Sequence, residues 1–203
     1  KILTALVVLE RMPLELEFTV PDCAVGVEGS SIYLRRGEKV SVEDMLYGLM
    51  LRSGNDAAVA LAVATAGSVD RFAAMMNERA RRAGAVSSNF VNPHGLHDDE
   101  HYTTARDLAL ITAEAYRHPE FARIVSTKKA TTGEGENARV MYNKNKLLSS
   151  LEGANGVKTG YTTRSGKCLV GGAVVDGVQR ISVLLGASGD MWSVTRELLM
   201  RKV

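Results

Sequence analysis

Long hydrophobic runs are missing from this chain. Nowhere do 18 or more apolar residues follow one another, so no stretch reads as a membrane-spanning helix. Aromatic residues are few, at 5%. Extended basic tracts are missing too: Arg79-Ala80-Arg81-Arg82 and Lys128-Lys129 are the longest clusters, and both read as solvated faces. With a net charge of only +2, nothing draws the chain to nucleic acid. Cysteine is confined to Cys23 and Cys168, which have no CxxC spacing, so a disulfide and two free thiols both stay open and the compartment is not readable from them. Internal repeats, linkers and low-complexity tracts are absent as well. What remains is an ordinary globular composition, 45% hydrophobic over 203 residues, enough for one domain spanning residues 1–203 with a sizeable core.

The chain opens on Lys1-Ile2-Leu3-Thr4-Ala5-Leu6-Val7-Val8-Leu9-Glu10, a helix in full stride with no capping residue ahead of it. The sequence is therefore expected to be cut, not begun, at Lys1. Pro13 marks the end of that helix. Residues 18–40 read as loop with small strands, Phe18-Thr19-Val20 and Ser31-Ile32-Tyr33-Leu34, punctuated by Pro21 and glycines. Ser41 then caps a helix ending near Arg52, with Glu43 and Asp44 in its first turn. Ser53-Gly54-Asn55-Asp56 interrupts, and Ala57–Ala66 is too rich in alanine for a strand and reads as a buried helix. Ser68 caps the next helix, whose inward face is Val69, Phe72, Ala73, Met76 and Ala80, and Gly84 ends it. After an irregular stretch over 85–103, Thr103 or Thr104 caps a helix to about Tyr116, and Pro119 opens a short one to about Val125. A hairpin is expected from Lys128–Thr132 and Arg139–Tyr142, and a second from Cys168–Val175 and Arg180–Leu185 joined at Asp176-Gly177. A last helix is expected over Val194–Lys202. The fold class is α/β (α+β): an antiparallel sheet, mainly from the end of the chain, flanked by helices with a helical subdomain.

Four features have residue types that carry chemistry. In Asn155-Gly156-Val157-Lys158-Thr159-Gly160-Tyr161, glycines bracket a short strand bearing a cation and a hydroxyl. Gly156 and Gly160 leave room for a substrate along the strand edge, and Lys158 with Thr159 offers an anchor for a carboxylate. Ser53-Gly54-Asn55 puts a hydroxyl and a carboxamide at a break between two helices, where ordinary capping explains the same residues. Lys1 heads an otherwise apolar helix, where burial and neighbouring cations would disfavour its charge and make it a base. Three histidines and three carboxylates between His94 and His101 also resemble a metal site. Their His-x2-His-x3-His spacing on a glycine-containing loop matches no ligand pattern, and such residues are ordinarily solvated.

Lys1, Ser53-x-Asn55 and Lys158-Thr159-Gly160 fall in the order of the Ser-x-x-Lys, Ser-x-Asn and Lys-Thr-Gly elements of penicillin-binding proteins and serine β-lactamases. The stretches Leu46–Ala58, Asn92-Pro93-His94-Gly95-Leu96, His101–Ala109, Asn145-Lys146-Leu147-Leu148 and Gly156–Thr162 sharpen this. Together they resemble the serine-type D-alanyl-D-alanine carboxypeptidases, the low-molecular-mass penicillin-binding proteins, from Lys1 to about Gly186.

The resemblance implies a β-lactamase/DD-peptidase-like fold and an acyl transfer. In it, a serine attacks the bond between the two terminal D-alanines of a peptidoglycan stem peptide, and β-lactams imitate that dipeptide. It implies Lys1 as the base, Ser53 and Asn55 as proton relay and substrate-amide holder, and Lys158 and Thr159 as carboxylate binders, with the Lys158 charge helping to keep Lys1 neutral. Gly160 lies in the substrate strand, and the N–H of Tyr161 supplies half the oxyanion hole. Arg164 and Arg196 are candidates to complete the carboxylate pocket. The resemblance requires no metal or cofactor, and makes the histidine loop a structural feature. It also implies a bacterial, extracytoplasmic protein, with membrane association only through segments outside these residues. The nucleophile is expected three residues before Lys1, and the first strands of the sheet ahead of that, so residues 1–203 alone are expected to be inactive. Two alternatives stand beside this reading. One is a β-lactamase on the same fold, against which Gly54 stands where many such enzymes carry aspartate. The other is a non-catalytic peptidoglycan-binding module that keeps the cleft without the serine.

Overall fold

The computed structural model describes residues 1–201. Helix α1 (Ile2–Leu9) is apolar on every side and is buried from Ile2 through Val8. Such a helix is stable only inside other helices, and α1 runs through the middle of α2 (Val42–Leu51), α3 (Asn55–Ala66), α4 (Val69–Arg82), α5 (Ala105–Ala115) and α6 (Pro119–Ser126). Its N-cap is Lys1, with no side-chain cap. The caps of the surrounding helices are those the sequence announces: the hydroxyls of Ser41, Ser68 and Thr104 accept from the N–H groups of Asp44, Arg71 and Asp107. Arg79 of α4 ties the bundle at one side, reaching Glu10 at 2.7 Å and Glu114 at 2.8 Å.

The main sheet is antiparallel, in the order β5 (Ala154–Thr162), β6 (Gly166–Val175), β7 (Val178–Ala187). The β6–β7 turn places both Asp176 and Gly177 at positive φ, the geometry of a tight hairpin whose twist matches its strands. Two small antiparallel pairs complete the β structure, β1 (Glu17–Thr19) with β2 (Lys39–Ser41) and β3 (Lys129–Thr132) with β4 (Arg139–Tyr142). One face of the main sheet meets the helical core through Val170. The other packs Leu169, Ala173 and Val175 against α7 (Leu147–Ser150) and α8 (Met191–Met200), with Leu147 and Leu199. This is the α/β arrangement of antiparallel sheets and flanking helices expected from the sequence.

Four expectations need correction or extension. Ser31–Leu34 is not a strand; its backbone N–H groups bond to the Asp56 carboxylate, and Tyr33 sits at φ +60°, which no strand permits. The short helix α7 was not foreseen. Helix α8 begins at Met191, not Val194, because Asp190 caps it through the Trp192 N–H. That helix is described to Met200, and Lys202 lies outside the described residues.

Candidate active site

Segments far apart in sequence meet at the head of α1, around a cavity of about 410 Å³. Lys1, Ser53, Asn55, Lys158, Thr159, Gly160 and Tyr161 all line it, so these seven sequence-derived residues are brought to one place. Ser53 arrives there because α2 ends at Leu51 and the chain reverses through Ser53 at φ +63°. A side chain in that region costs about 1–3 kcal/mol. The N–H of Gly54 reaches back to the Gly48 carbonyl at 3.0 Å, and Asn55 then opens α3.

Lys1 Nζ donates to Asn55 Oδ1 at 2.7 Å and to the His94 carbonyl at 2.5 Å. Burial pushes its pKa down to about 8, Lys144 pushes the same way, and Asp56 opposes them. A neutral amine has two N–H bonds and one lone pair. Two acceptors use both N–H bonds, so the lone pair takes the remaining tetrahedral direction. Lys158 is also buried, donates to the Thr159 carbonyl at 2.8 Å, and is held well below an ordinary lysine by burial and then by Lys1 and Lys144. Burial and Lys144 are thus the leading causes of the Lys1 shift, ahead of the Lys158 charge expected from the resemblance.

Lys158 stands opposite Val170, and Gly160 opposite Cys168, on β6. Strand β5 is an edge of the main sheet, which leaves main-chain groups available to an extended ligand. A Cβ at Gly160 would meet nothing closer than Cys168 Cβ at 3.7 Å. Gly156 has a different task from the one expected. A Cβ there would lie 2.8 Å from the Tyr116 hydroxyl and 2.9 Å from Val125, so its missing side chain admits α5 and α6, not a substrate. Tyr161 is 71% exposed at the cavity rim. Arg196 is held away, donating to the Ser150 carbonyl at 2.9 Å, and Arg164 lies on the exposed β5–β6 turn outside the cavity lining.

The histidine loop contributes one direct element that its side chains do not suggest: the His94 carbonyl at Lys1. His94 Nδ1 accepts from the Leu96 N–H and His101 Nδ1 from the Val91 N–H. Burial pushes both imidazoles down to about 4. Among the described residues, no three of His, Cys, Asp and Glu are gathered to hold a metal ion. Sequence reasoning also missed Lys144, whose neighbours Asn143 and Asn145 fix the backbone around it but say nothing of what it faces. Gly54 cannot take a side chain without rearrangement, since a Cβ would lie 2.8 Å from Asp56 Oδ1 and 3.3 Å from Ile32. An aspartate in the β-lactamase manner does not fit there.

A profile of the D-alanyl-D-alanine carboxypeptidases matches residues 1–189. The chain is 32% identical over 194 residues to the D-alanyl-D-alanine carboxypeptidase DacF of Bacillus subtilis, covering 93% of this chain and 50% of that one. It is 39% identical over 168 residues to DacC of Escherichia coli, covering 81% and 41%. It thus spans about half, or less, of the length of these relatives. Among solved structures, the D-alanyl-D-alanine carboxypeptidase DacD of Francisella tularensis superposes with a TM-score of 0.88 at 28% identity, over 98% of this chain and 62% of that one. The Streptomyces K15 DD-transpeptidase superposes at 0.85 with 35% identity, over 93% and 79%.

Proposed function

The chain belongs to the D-alanyl-D-alanine carboxypeptidase family, and from that premise we propose that it forms the acyl-transfer domain of a serine D,D-carboxypeptidase. Its substrate is a peptidoglycan stem peptide ending in D-Ala-D-Ala, and β-lactams acylate it in the same way. The observation that carries this reading is the buried Lys1 amine, donating to Asn55 Oδ1 at 2.7 Å and to the His94 carbonyl at 2.5 Å. An amine held by two acceptors, with a pKa lowered by burial, is suited to act as a general base near neutral pH.

In the proposed reaction a seryl hydroxyl, three residues ahead of Lys1 in the family's motif, attacks the carbonyl carbon of the D-Ala-D-Ala bond. Its proton passes to Lys1 as the C–O bond forms. The C–N bond then breaks and the terminal D-alanine leaves with a proton relayed through Ser53. Water repeats the sequence on the acyl-enzyme and restores the serine. Lys158 and Thr159 hold the terminal carboxylate, whose charge restores that of the buried Lys158 ammonium. The substrate extends along β5, with the Tyr161 N–H as one oxyanion donor. Residues 1–203 act as one domain, and the protein works outside the cytoplasmic membrane of a bacterium.

Intact-protein mass spectrometry of the full-length protein before and after benzylpenicillin tests the proposal. A gain of one penicillin per chain, mapped to a serine, is expected, together with release of D-alanine from a D-Ala-D-Ala peptide. An unmodified mass would leave a peptidoglycan-binding module, and rapid turnover of penicillin would favour a β-lactamase.

A further inference from the structure

The Asn55 carboxamide faces Lys1 with its oxygen, and nothing in Asn55 itself selects oxygen over nitrogen. The choice is made by the loop over residues 28–34. Asn55 Nδ2 donates to the Glu28 carbonyl at 2.6 Å, which leaves Oδ1 for Lys1. The Asn55 N–H donates to the Ser30 carbonyl at 2.7 Å. Gly29 lies between these two carbonyls, where a Cβ would come within 2.7 Å of Asn55 Nδ2.

The loop is in turn strung on Asp56. Its carboxylate, on a residue 1% exposed, accepts from Ser31 Oγ at 2.6 Å, from the Ile32 N–H at 3.0 Å and from the Leu34 N–H at 3.2 Å. It also accepts from the N–H of Ala57 at 2.9 Å. Among the described residues no cation lies within ion-pair distance of it. A buried carboxylate satisfied by backbone N–H groups specifies the shape of a loop, because each donor must be where it is. From the outer side Arg139 holds the same loop, donating to the Ile32 carbonyl at 2.7 Å and the Tyr33 carbonyl at 3.1 Å while its guanidinium pairs with Glu38.

We infer that Asp56 is a positioning residue for the base: through the loop over 28–34 it fixes the Asn55 carboxamide so that an acceptor, and not a donor, faces Lys1. This inference rests on the reading of the site as an acyl-transfer centre. Without Asp56 the N–H groups of Ile32 and Leu34 lose their acceptor, the Glu28 carbonyl is released, and the amide is free to turn its nitrogen toward Lys1. A donor facing the two N–H bonds of the amine would swing its lone pair away from the nucleophile. Asp56 is also the one group that raises the Lys1 pKa against burial and Lys144. The charged and titratable groups around Lys1 Nζ are Asp56 from α3, His94 from the loop after α4, Lys144 after β4 and Lys158 from β5, with the Asn55 carboxamide as its hydrogen-bond acceptor.

The test compares Asp56→Asn and Arg139→Gln with the parent in the full-length protein, using benzylpenicillin acylation across pH and NMR titration of the Lys1 ε-carbon. Asp56→Asn is expected to lower the limiting acylation rate at least tenfold with little change in the penicillin concentration at half-saturation. Its Lys1 midpoint, and the acid limb of the profile, should move to lower pH. Arg139→Gln loosens the loop without touching the charge beside Lys1, and should lower the rate with the limb in place. Parent-like rates and an unmoved Lys1 midpoint in Asp56→Asn would overturn the inference. If that variant does not fold, a folded Arg139→Gln with parent-like acylation overturns it instead. Failure of the parent to acylate would sink the acyl-transfer reading alone, since the Lys1 titration still decides the role of Asp56.

Discussion

Lys1 and Asn55 lie 54 residues apart in sequence and are joined by a 2.7 Å hydrogen bond from Nζ to Oδ1. The bond fixes the head of the buried helix α1 to the first residue of α3, and sets the rotamer of the proposed base. Asn55→Ala removes one of the two acceptors at Nζ and leaves only the His94 carbonyl. Lys1 becomes charged as it takes the seryl proton, and a hydrogen bond to a charged group is worth about 1.5–3 kcal/mol, so penicillin acylation should fall about 10- to 100-fold with the melting temperature little changed. Stopped-flow acylation of the folded variant checks this. A rate within twofold of the parent would mean that Asn55 does not orient Lys1.

Gly172 on β6 faces the Tyr116 hydroxyl. A Cβ there would come within 2.1 Å of that oxygen and 2.9 Å of Asn155 Oδ1, two groups already hydrogen-bonded to each other at 3.0 Å. Neither can retreat easily from between sheet and helix, so Gly172→Ala should cost about 1–3 kcal/mol in urea denaturation. Adding Tyr116→Phe should return part of that loss. If the double variant is no more stable than Gly172→Ala alone, the hydroxyl is not the obstacle.

Acid should unfold the protein through carboxylates that lie far from the cavity. Burial pushes Glu38 up, but its hydrogen bonds from Arg139 and the Arg35 N–H prevail and hold it below its ordinary 4.5. Arg79 holds Glu114 below the same value, against burial. Groups depressed on folding contribute stability that is whole above their unfolded pKa and is lost as pH falls through the folded one. Urea midpoints should therefore be level from pH 7 to near 5 and fall below about 4.5. Arg139→Gln leaves Glu38 buried and unpaired, and should cost about 3–5 kcal/mol at pH 7 while flattening the acid fall. An unchanged acid slope in that variant would move the effect elsewhere.

The parts of the fold written in local sequence were legible. Ser41, Ser68 and Thr104 each precede a helix they cap, and Asp176-Gly177 sits between two β runs as a two-residue turn should. The residues that line the cavity were legible because three motifs occur in a fixed order, although each alone is ordinary. What could not be read depends on partners distant in the chain. Ser31–Leu34 has strand composition, but its donors are taken by Asp56, 22 residues beyond Leu34. Gly156 looks like a substrate glycine until Tyr116 and Val125 arrive beside it. Arg139 gives no hint in its own hairpin that it reaches a loop 107 residues earlier. Lys144 belongs to no motif, and only in the folded chain does its charge act on Lys1 and Lys158.

That last residue gives a prediction of definite sign. Lys144 lowers the pKa of Lys1 by placing a second positive charge near it. Lys144→Gln removes that charge, so the protonated form of Lys1 becomes easier to hold and its pKa rises above about 8. The base works only when neutral, so the acid limb of penicillin acylation should shift to higher pH, opposite to the shift expected of Asp56→Asn. For a shift of half a unit the loss at pH 7 is about threefold, and it should vanish above the limb, where both proteins hold Lys1 neutral. Because Lys144 is exposed to solvent, its effect should also be screened. Raising the salt concentration should therefore move the parent profile toward that of the variant, while leaving the variant almost unmoved. A limb that stays put, or moves to lower pH, would show that burial alone sets the pKa of Lys1.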